Sequence, residues 1–123
     1  MNPKIFIKRI YEDFDEKDGY RVLVDRLWPR GVKKEDAHLN EWAKDLAPST
    51  EARIEFGHIP EHWNTFKQRY NKELDANDQI AHYLEKWEEQ SSITLLYAAK
   101  DTIRTHALVL QEYLEKAYGA RKE

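Results

Sequence analysis

The chain contains no cysteine, which removes disulfides, thiolate nucleophiles and every cysteine-ligated zinc or iron–sulfur site. Glycine is scarce, with 4 in 123 residues and none in a Gly-x-Gly context, so a Walker or Rossmann phosphate loop is excluded. No window approaches 18 apolar residues, and the amino terminus lacks the apolar core and small-residue cleavage site of a signal peptide. A cytoplasmic protein with no membrane association is expected. Strong charge of one sign is also lacking: the net charge is −3 and the pI about 6.0, which excludes a surface that acts as a polycation toward nucleic acid or lipid. Any anion site must be local.

What is present describes a folded domain. Hydrophobic residues make up 41% and charged residues 35%, with 4 Trp, 7 Tyr and 4 Phe, too many aromatics for a disordered chain. The length is that of one domain over residues 1–123. Internal repeats, low-complexity tracts and long linkers are not visible.

The β-branched run from Lys4 to Tyr11 reads as a first strand. Asp18-Gly19 supplies a turn that tolerates positive φ, and a second strand runs from Tyr20 through Val24 or Asp25. The connection between them is too short for a helical crossover, which favours antiparallel pairing or a loose loop. Trp28-Pro29-Arg30-Gly31 then ends the strand, because proline has no donor for a ladder.

Leu39, Trp42, Ala43 and Leu46 fall at i, i+3, i+4 and i+7, predicting a short helix ended by Pro48. Ser49 is placed to cap a second helix, Thr50 to Phe56, with Gly57 as its stop. Pro60 starts an aromatic-rich helix with Trp63, Phe66, Tyr70 and Leu74 along a core-facing stripe. Asn77 or Asp78 caps another, which buries Ile80, Leu84 and Trp87.

The apolar run Ile93 to Ala99 has the pattern of a central strand covered on both faces. A last helix is expected from Asp101 or Thr102, with Ile103, Ala107, Leu110, Leu114 and Ala117 on one face and a frayed tail over residues 121–123. The fold class is therefore α/β: a small mixed or mainly parallel sheet of about three strands with helices packed against it.

Three blocks carry a family resemblance: Asp18-Gly-Tyr-Arg-Val-Leu-Val-Asp-Arg-Leu-Trp-Pro-Arg-Gly-Val-Lys-Lys-Glu35, Trp42-Ala-Lys-Asp-Leu-Ala-Pro-Ser49, and Thr94-Leu-Leu-Tyr-Ala-Ala-Lys-Asp101 followed by His106-Ala107. Together they resemble the domain-of-unknown-function 488 family in its YeaO-like branch, over roughly Ile5 to Leu114. The resemblance implies an α/β protein of bacterial or archaeal cytosol in a family without an established activity. Other branches carry a Cys-His-Arg cluster after the strand matching Leu95 to Ala98, where this chain has Thr105-His106-Ala107. Thiol-based chemistry in those branches does not transfer.

In α/β sheets ligands bind beyond the carboxyl ends of the strands. That rule singles out Asp25, Arg26, Trp28 and Arg30 after one strand, and Lys100, Asp101, Arg104 and His106 after the other. Arginine forks suit phosphate or carboxylate, and His106 has the chemistry of a proton carrier near neutrality. Structural readings stand beside these: Asp25 as ion-pair partner or backbone cap, Trp28 as core plug, Asp101 as helix cap, and His106 as hydrogen-bonded support. Lys44, Ser49 and Arg69 form a second tier, with helix capping sufficient for Ser49 and solvated faces for the other two.

His58 and His62 have metal-like spacing, but Pro60 breaks the shared helical face that such ligation needs, so no metal or cofactor is expected. Arg21, Arg26, Arg30, Lys33 and Lys34 among Tyr20 and Trp28 suit single-stranded nucleic acid, a reading opposed by the acidic stretches Glu12 to Asp18 and Glu85 to Glu89. Two functions remain. The first is an enzyme acting on an anionic small molecule, with Asp25, Asp101 and His106 catalytic and Arg26, Trp28, Arg30, Lys100, Lys44 and Arg69 binding. The second is a noncatalytic module that uses the same arginines to hold a phosphorylated ligand, a nucleic acid or a protein partner. The oligomeric state is not legible.

Overall fold

Parallel strand pairing organises the computed structural model, which describes residues 2–121. Strand β1 (Lys4–Arg9) leads through a 3-10 turn (Glu16–Asp18) to β2 (Tyr20–Leu23), a short helix α1 (Lys34–Ala37) and a two-residue strand β3 (Glu41–Trp42). A second 3-10 turn (Lys44–Leu46) precedes α2 (Thr50–Phe56), and a third (Pro60–His62) runs into α3 (Trp63–Ala76). The chain ends with α4 (Ile80–Trp87), β4 (Ser92–Tyr97) and α5 (His106–Arg121). The 4-stranded sheet has the order β1-β4-β2-β3, every pair parallel.

Strand β4 is central, as its largely apolar run requires, and its alternation divides the core. Ile93, Leu95 and Tyr97 join Ile5, Val22 and Val24 under the helices, with Phe66, Tyr70, Trp87 and Leu110. Leu96 points the other way with Leu23, Ile10 and Ala37, where Trp28, Val32, Leu39 and Trp42 from the β2–β3 connection close over it. A period of two on a strand buried on both faces makes both halves apolar.

The second face has a polar end. Arg21, buried at 1% exposure, pairs with Asp18 and donates from Nε to His38 O (3.1 Å) and from Nη2 to Ala37 O (3.0 Å). Lys8 reaches the same carboxylate at 3.0 Å, and Thr94 Oγ1 donates to Asp18 O at 2.7 Å. Gly19 follows with φ +68, and a Cβ there would lie 2.5 Å from Ser92 O, so only glycine lets β2 enter the sheet so close to β4.

Several expectations are corrected. The first two strands are not antiparallel neighbours; β4 lies between them and both run parallel to it. The segment Leu39 to Leu46 is an edge strand and a 3-10 turn rather than a helix. The outer backbone of β2 demands partners there: Asn40 N donates to Arg21 O (2.9 Å) and Ala43 N to Leu23 O (2.8 Å). Glu41 then receives Tyr20 Oη, Lys86 Nζ and Trp87 Nε1 at 2.9, 2.7 and 2.9 Å. Such long-range pairing outweighs a helical spacing of only four apolar residues.

The sheet ladder of β2 stops at Leu23, short of Asp25. The last helix begins at His106, because Asp101 Oδ1 accepts from Ile103 N and Arg104 N (both 2.9 Å) and closes a turn instead of capping a helix. Ile103 is consequently 70% exposed rather than on the buried face. Helix α2 has the bounds expected of it, with Ser49 Oγ accepting from Ala52 N at 3.1 Å and Gly57 left-handed at φ 53. Of the expected tail, residues 122 and 123 lie outside the described residues.

Burial opposes ionisation of Asp18, but the hydrogen bond from Lys8, the Asp15 amide and Arg21 together hold its carboxyl below the ordinary 3.8. A group whose folded value is depressed contributes stability that is complete above its unfolded value and is lost as pH falls through the folded one. Asp18→Asn is therefore expected to cost about 3 kcal/mol at neutral pH by urea denaturation, since Arg21 is left buried and unpaired. The same variant should show a flatter loss of stability below pH ~4; an unchanged acid limb would show that Asp18 does not carry it.

Candidate functional site

Because β2 and β4 run parallel, both deliver their following residues to the same edge of the sheet. Asp25 leaves β2 and its Oδ2 accepts from Ala98 N, just beyond β4, at 3.0 Å. Its own carbonyl accepts from Trp42 Nε1 at 2.7 Å. His106, the first residue of α5, places Nε2 3.1 Å from Val24 O and 3.1 Å from Asp25 Oδ1. A carbonyl can only accept, so Nε2 carries the proton, directed at Val24 O. Asp25 Oδ1 is buried without a well-formed hydrogen bond, facing the imidazole as a charge rather than as an acceptor.

A cleft of about 300 Å³ opens over this junction, lined by Arg26, Trp28, Arg30, Arg53, His58 and His106, among others. Arg26 spends Nη2 on Pro48 O (3.1 Å) and Ala47 O (3.4 Å), tying the β2 exit to the approach of α2. Arg30 is exposed and only its backbone is engaged, its carbonyl accepting from Tyr11 Oη at 2.9 Å. Arg53 is likewise exposed on α2, and among the described residues neither Arg30 nor Arg53 has an ion-pair partner. Trp28 is half-buried: its Nε1 donates to Val32 O at 2.7 Å and its ring meets Trp42 edge-on at 5.4 Å.

The remaining candidates do not converge here. Asp101 is committed to its turn; the amides of Arg104 and Ile103, then the Arg104 and His58 charges, hold its carboxyl below 3.8. Lys100 is exposed beside it and lines neither this cleft nor the one next to it. Lys44 lies 4.3 Å over the Trp42 ring and lines neither cleft. Arg69 pairs with Glu55 at 2.6 Å and Glu73 at 3.5 Å, and Glu73 in turn receives Ser49 N and Oγ at 2.9 and 2.6 Å. Among the described residues no three His, Asp or Glu side chains group as a metal site would need, and His62 Nδ1 donates to Glu55 O at 3.0 Å.

Arg53, His58 and Arg9 are residues that strand-exit reasoning misses. The first two arrive from α2 and its stop, brought in by the left-handed pair Gly57 (φ 53) and His58 (φ 57); Ser49 and Gly57 bounded that helix but gave no sign of its docking. Arg9 donates from Nε to Ala99 O (2.8 Å) and from Nη2 to Ala98 O (2.9 Å), fixing the floor of the cleft from the end of β1. An arginine closing an edge strand beside a tyrosine, 4.9 Å from the Tyr11 centroid, was the available signal.

Comparison with known proteins agrees with the three sequence blocks. A family model described as the inactive DUF488-N3 subclade matches residues 4–123. The chain is 46% identical over 107 residues to the uncharacterized protein YeaO of Escherichia coli (strain K12), covering 87% of this chain and 93% of that one. It is 41% identical over 111 residues to the uncharacterized proteins Rv3073c of Mycobacterium tuberculosis (strain ATCC 25618 / H37Rv) and Mb3100c of Mycobacterium bovis, covering 90% of this chain and 93% of theirs. No solved structure matches.

If Asp25 is chiefly a brace, its removal must register as lost stability. Asp25→Ala strands the Ala98 N–H and leaves His106 without its carboxylate, an expected cost of about 1–3 kcal/mol in urea denaturation. Wild-type stability in that variant would show that the three elements are held together by something else.

Proposed function

Because the chain belongs to the domain-of-unknown-function 488 family, in the subclade described as inactive, we propose that it is a noncatalytic module that holds an anionic ligand at the carboxyl ends of β2 and β4. The reading rests on one observation: the cleft over Asp25 is lined by Arg26, Arg30, Arg53 and His58, while its one carboxylate is turned inward onto Ala98 N and His106. Like charges gathered at one surface repel, and a bound anion relieves that repulsion. Guanidinium forks fit phosphate or carboxylate oxygens in pairs.

The same geometry favours binding over turnover. Neither serine, lysine nor cysteine lines the cleft. Two acid–base candidates in it are bound to backbone, Asp25 to Ala98 N and His106 to Val24 O; Asp101 is spent on the turn before α5, and His58, exposed at the cleft's margin, has no serine, lysine or cysteine beside it to activate. Proton transfer needs a group within hydrogen-bond reach of substrate and free to change partners. Arg26, Arg30 and Arg53 are then the anion anchors, Arg9 and Asp25 hold the floor, and Lys44, Arg69 and Lys100 lie outside the site.

Among the described residues no helix is long and apolar enough to cross a membrane; we place the module in the cytosol, where phosphorylated and carboxylated metabolites are plentiful. Inorganic phosphate should bind saturably in calorimetry, more weakly as salt rises. Arg30→Ala and Arg53→Ala should each weaken it about tenfold or more, the worth of one hydrogen bond to a charged group. Phosphate monoesters should be recovered unaltered by phosphorus NMR; released phosphate would overturn the noncatalytic reading.

A further inference from the structure

A second cleft, about 330 Å³ in volume, lies against the first, and Pro48, Arg53, His58, Ala99 and His106 line both. Its character is different. Phe56 and Phe66 form its floor, their rings stacked with centroids 4.9 Å apart, and Ile54 stands at its mouth 75% exposed. Arg53 and His58 are exposed beside it and Arg104 is half-buried, whereas Phe56 and Phe66 are buried, as are Pro48 and Thr105. An apolar cleft with a few polar groups at its margin is the usual form of a site for the body of an organic ligand.

We infer that the two clefts are one bipartite site, and that its ligand is an organic anion whose phosphate or carboxylate lies among Arg26, Arg30 and Arg53 while an apolar ring or chain lies over Phe56 and Phe66. This deepens the proposed function and rests on it. Arg53 and His58 are the common wall: the groups that meet the anion at one side border the apolar body at the other. A free inorganic anion would use only the first cleft, and a neutral apolar molecule only the second. A ligand carrying both parts gains by covering the 75% exposed Ile54 and by taking its own apolar body out of water against the phenylalanine floor. The β-strand exits thus set where the head binds, and the α2–α3 junction sets what is attached to it.

The test compares inorganic phosphate with phenyl phosphate by calorimetry on the intact chain. Phenyl phosphate should bind about ten- to a hundredfold tighter, the gain from burying one ring. Thr50 is exposed and touches only the second cleft; Thr50→Trp fills that cleft without altering charge, and should abolish the advantage of phenyl phosphate while leaving inorganic phosphate as in the wild type. Arg30→Ala, in the first cleft alone, should weaken both ligands. Equal affinity for the two ligands, or an advantage that survives Thr50→Trp, overturns the bipartite site and leaves the anion reading standing. Failure of both ligands to bind overturns the anion reading itself.

Discussion

Asp25 is the residue at which four separate parts of the chain are fastened. Its Oδ2 takes the first amide beyond β4, its backbone carbonyl takes the indole of Trp42 in β3, and its Oδ1 faces the imidazole that opens α5. A parallel sheet has no hairpins to hold its strand ends in place. Something must tie those ends after the ladder stops. With β2 ending at Leu23 and β4 at Tyr97, a short acidic side chain between them satisfies an amide that would otherwise be orphaned near the core. The cleft exists because this tie is compact: the strand exits are drawn together below, and the arginines that follow them are left above.

The opposite end of the same strands is managed by a second acid, and the contrast explains where ligand chemistry can occur. Asp18 is answered by Arg21 and Lys8, with Thr94 on its carbonyl, so the amino-terminal end of β2 is neutralised from within. Arg21 can be buried because each of its three guanidinium nitrogens has an acceptor, in Asp18, His38 and Ala37. At the carboxyl end the arithmetic is reversed. Arg30 and Arg53 meet no carboxylate among the described residues, and Asp25 is already committed. One end of the sheet is electrostatically closed and the other is open to an anion.

Much of this was readable from residue order, and the misses have a common cause. The stripe Phe66, Tyr70 and Leu74 is buried as its spacing says, Tyr70 deeply enough that burial pushes its hydroxyl far above the ordinary range while it donates to Leu46 O. Ser49 and Gly57 bound α2, and Ile93 to Tyr97 is the central strand. These are local signals: a cap, a stop, a run. The pairing of β1 and β2 with β4, and the conversion of Leu39 to Leu46 into an edge, depend instead on which backbone groups lack partners after the rest has folded. Periodicity carries no information about that. The site divides the same way: Asp25, Arg26 and Arg30 follow from the rule of strand exits, whereas Arg53 and His58 depend on how α2 docks.

The half-buried acid and base beneath the cleft, Asp25 and His106, serve the fold. His106 shows how. Nε2 is held by Val24 O, so the imidazole supports the end of β2 and fixes the first turn of α5. To act as a proton carrier through that nitrogen it would have to release the carbonyl, leaving Val24 O without its donor beside Asp25 Oδ1, which already lacks one. A buried acceptor stranded in this way costs about 1–3 kcal/mol. That is a substantial part of the stability of a domain this size. Electropositive recognition carries no such penalty, because the exposed guanidinium groups of Arg30 and Arg53 can change partners from water to ligand without disturbing a strand. The proposed binding is therefore compatible with the brace, whereas proton transfer through His106 Nε2 is not.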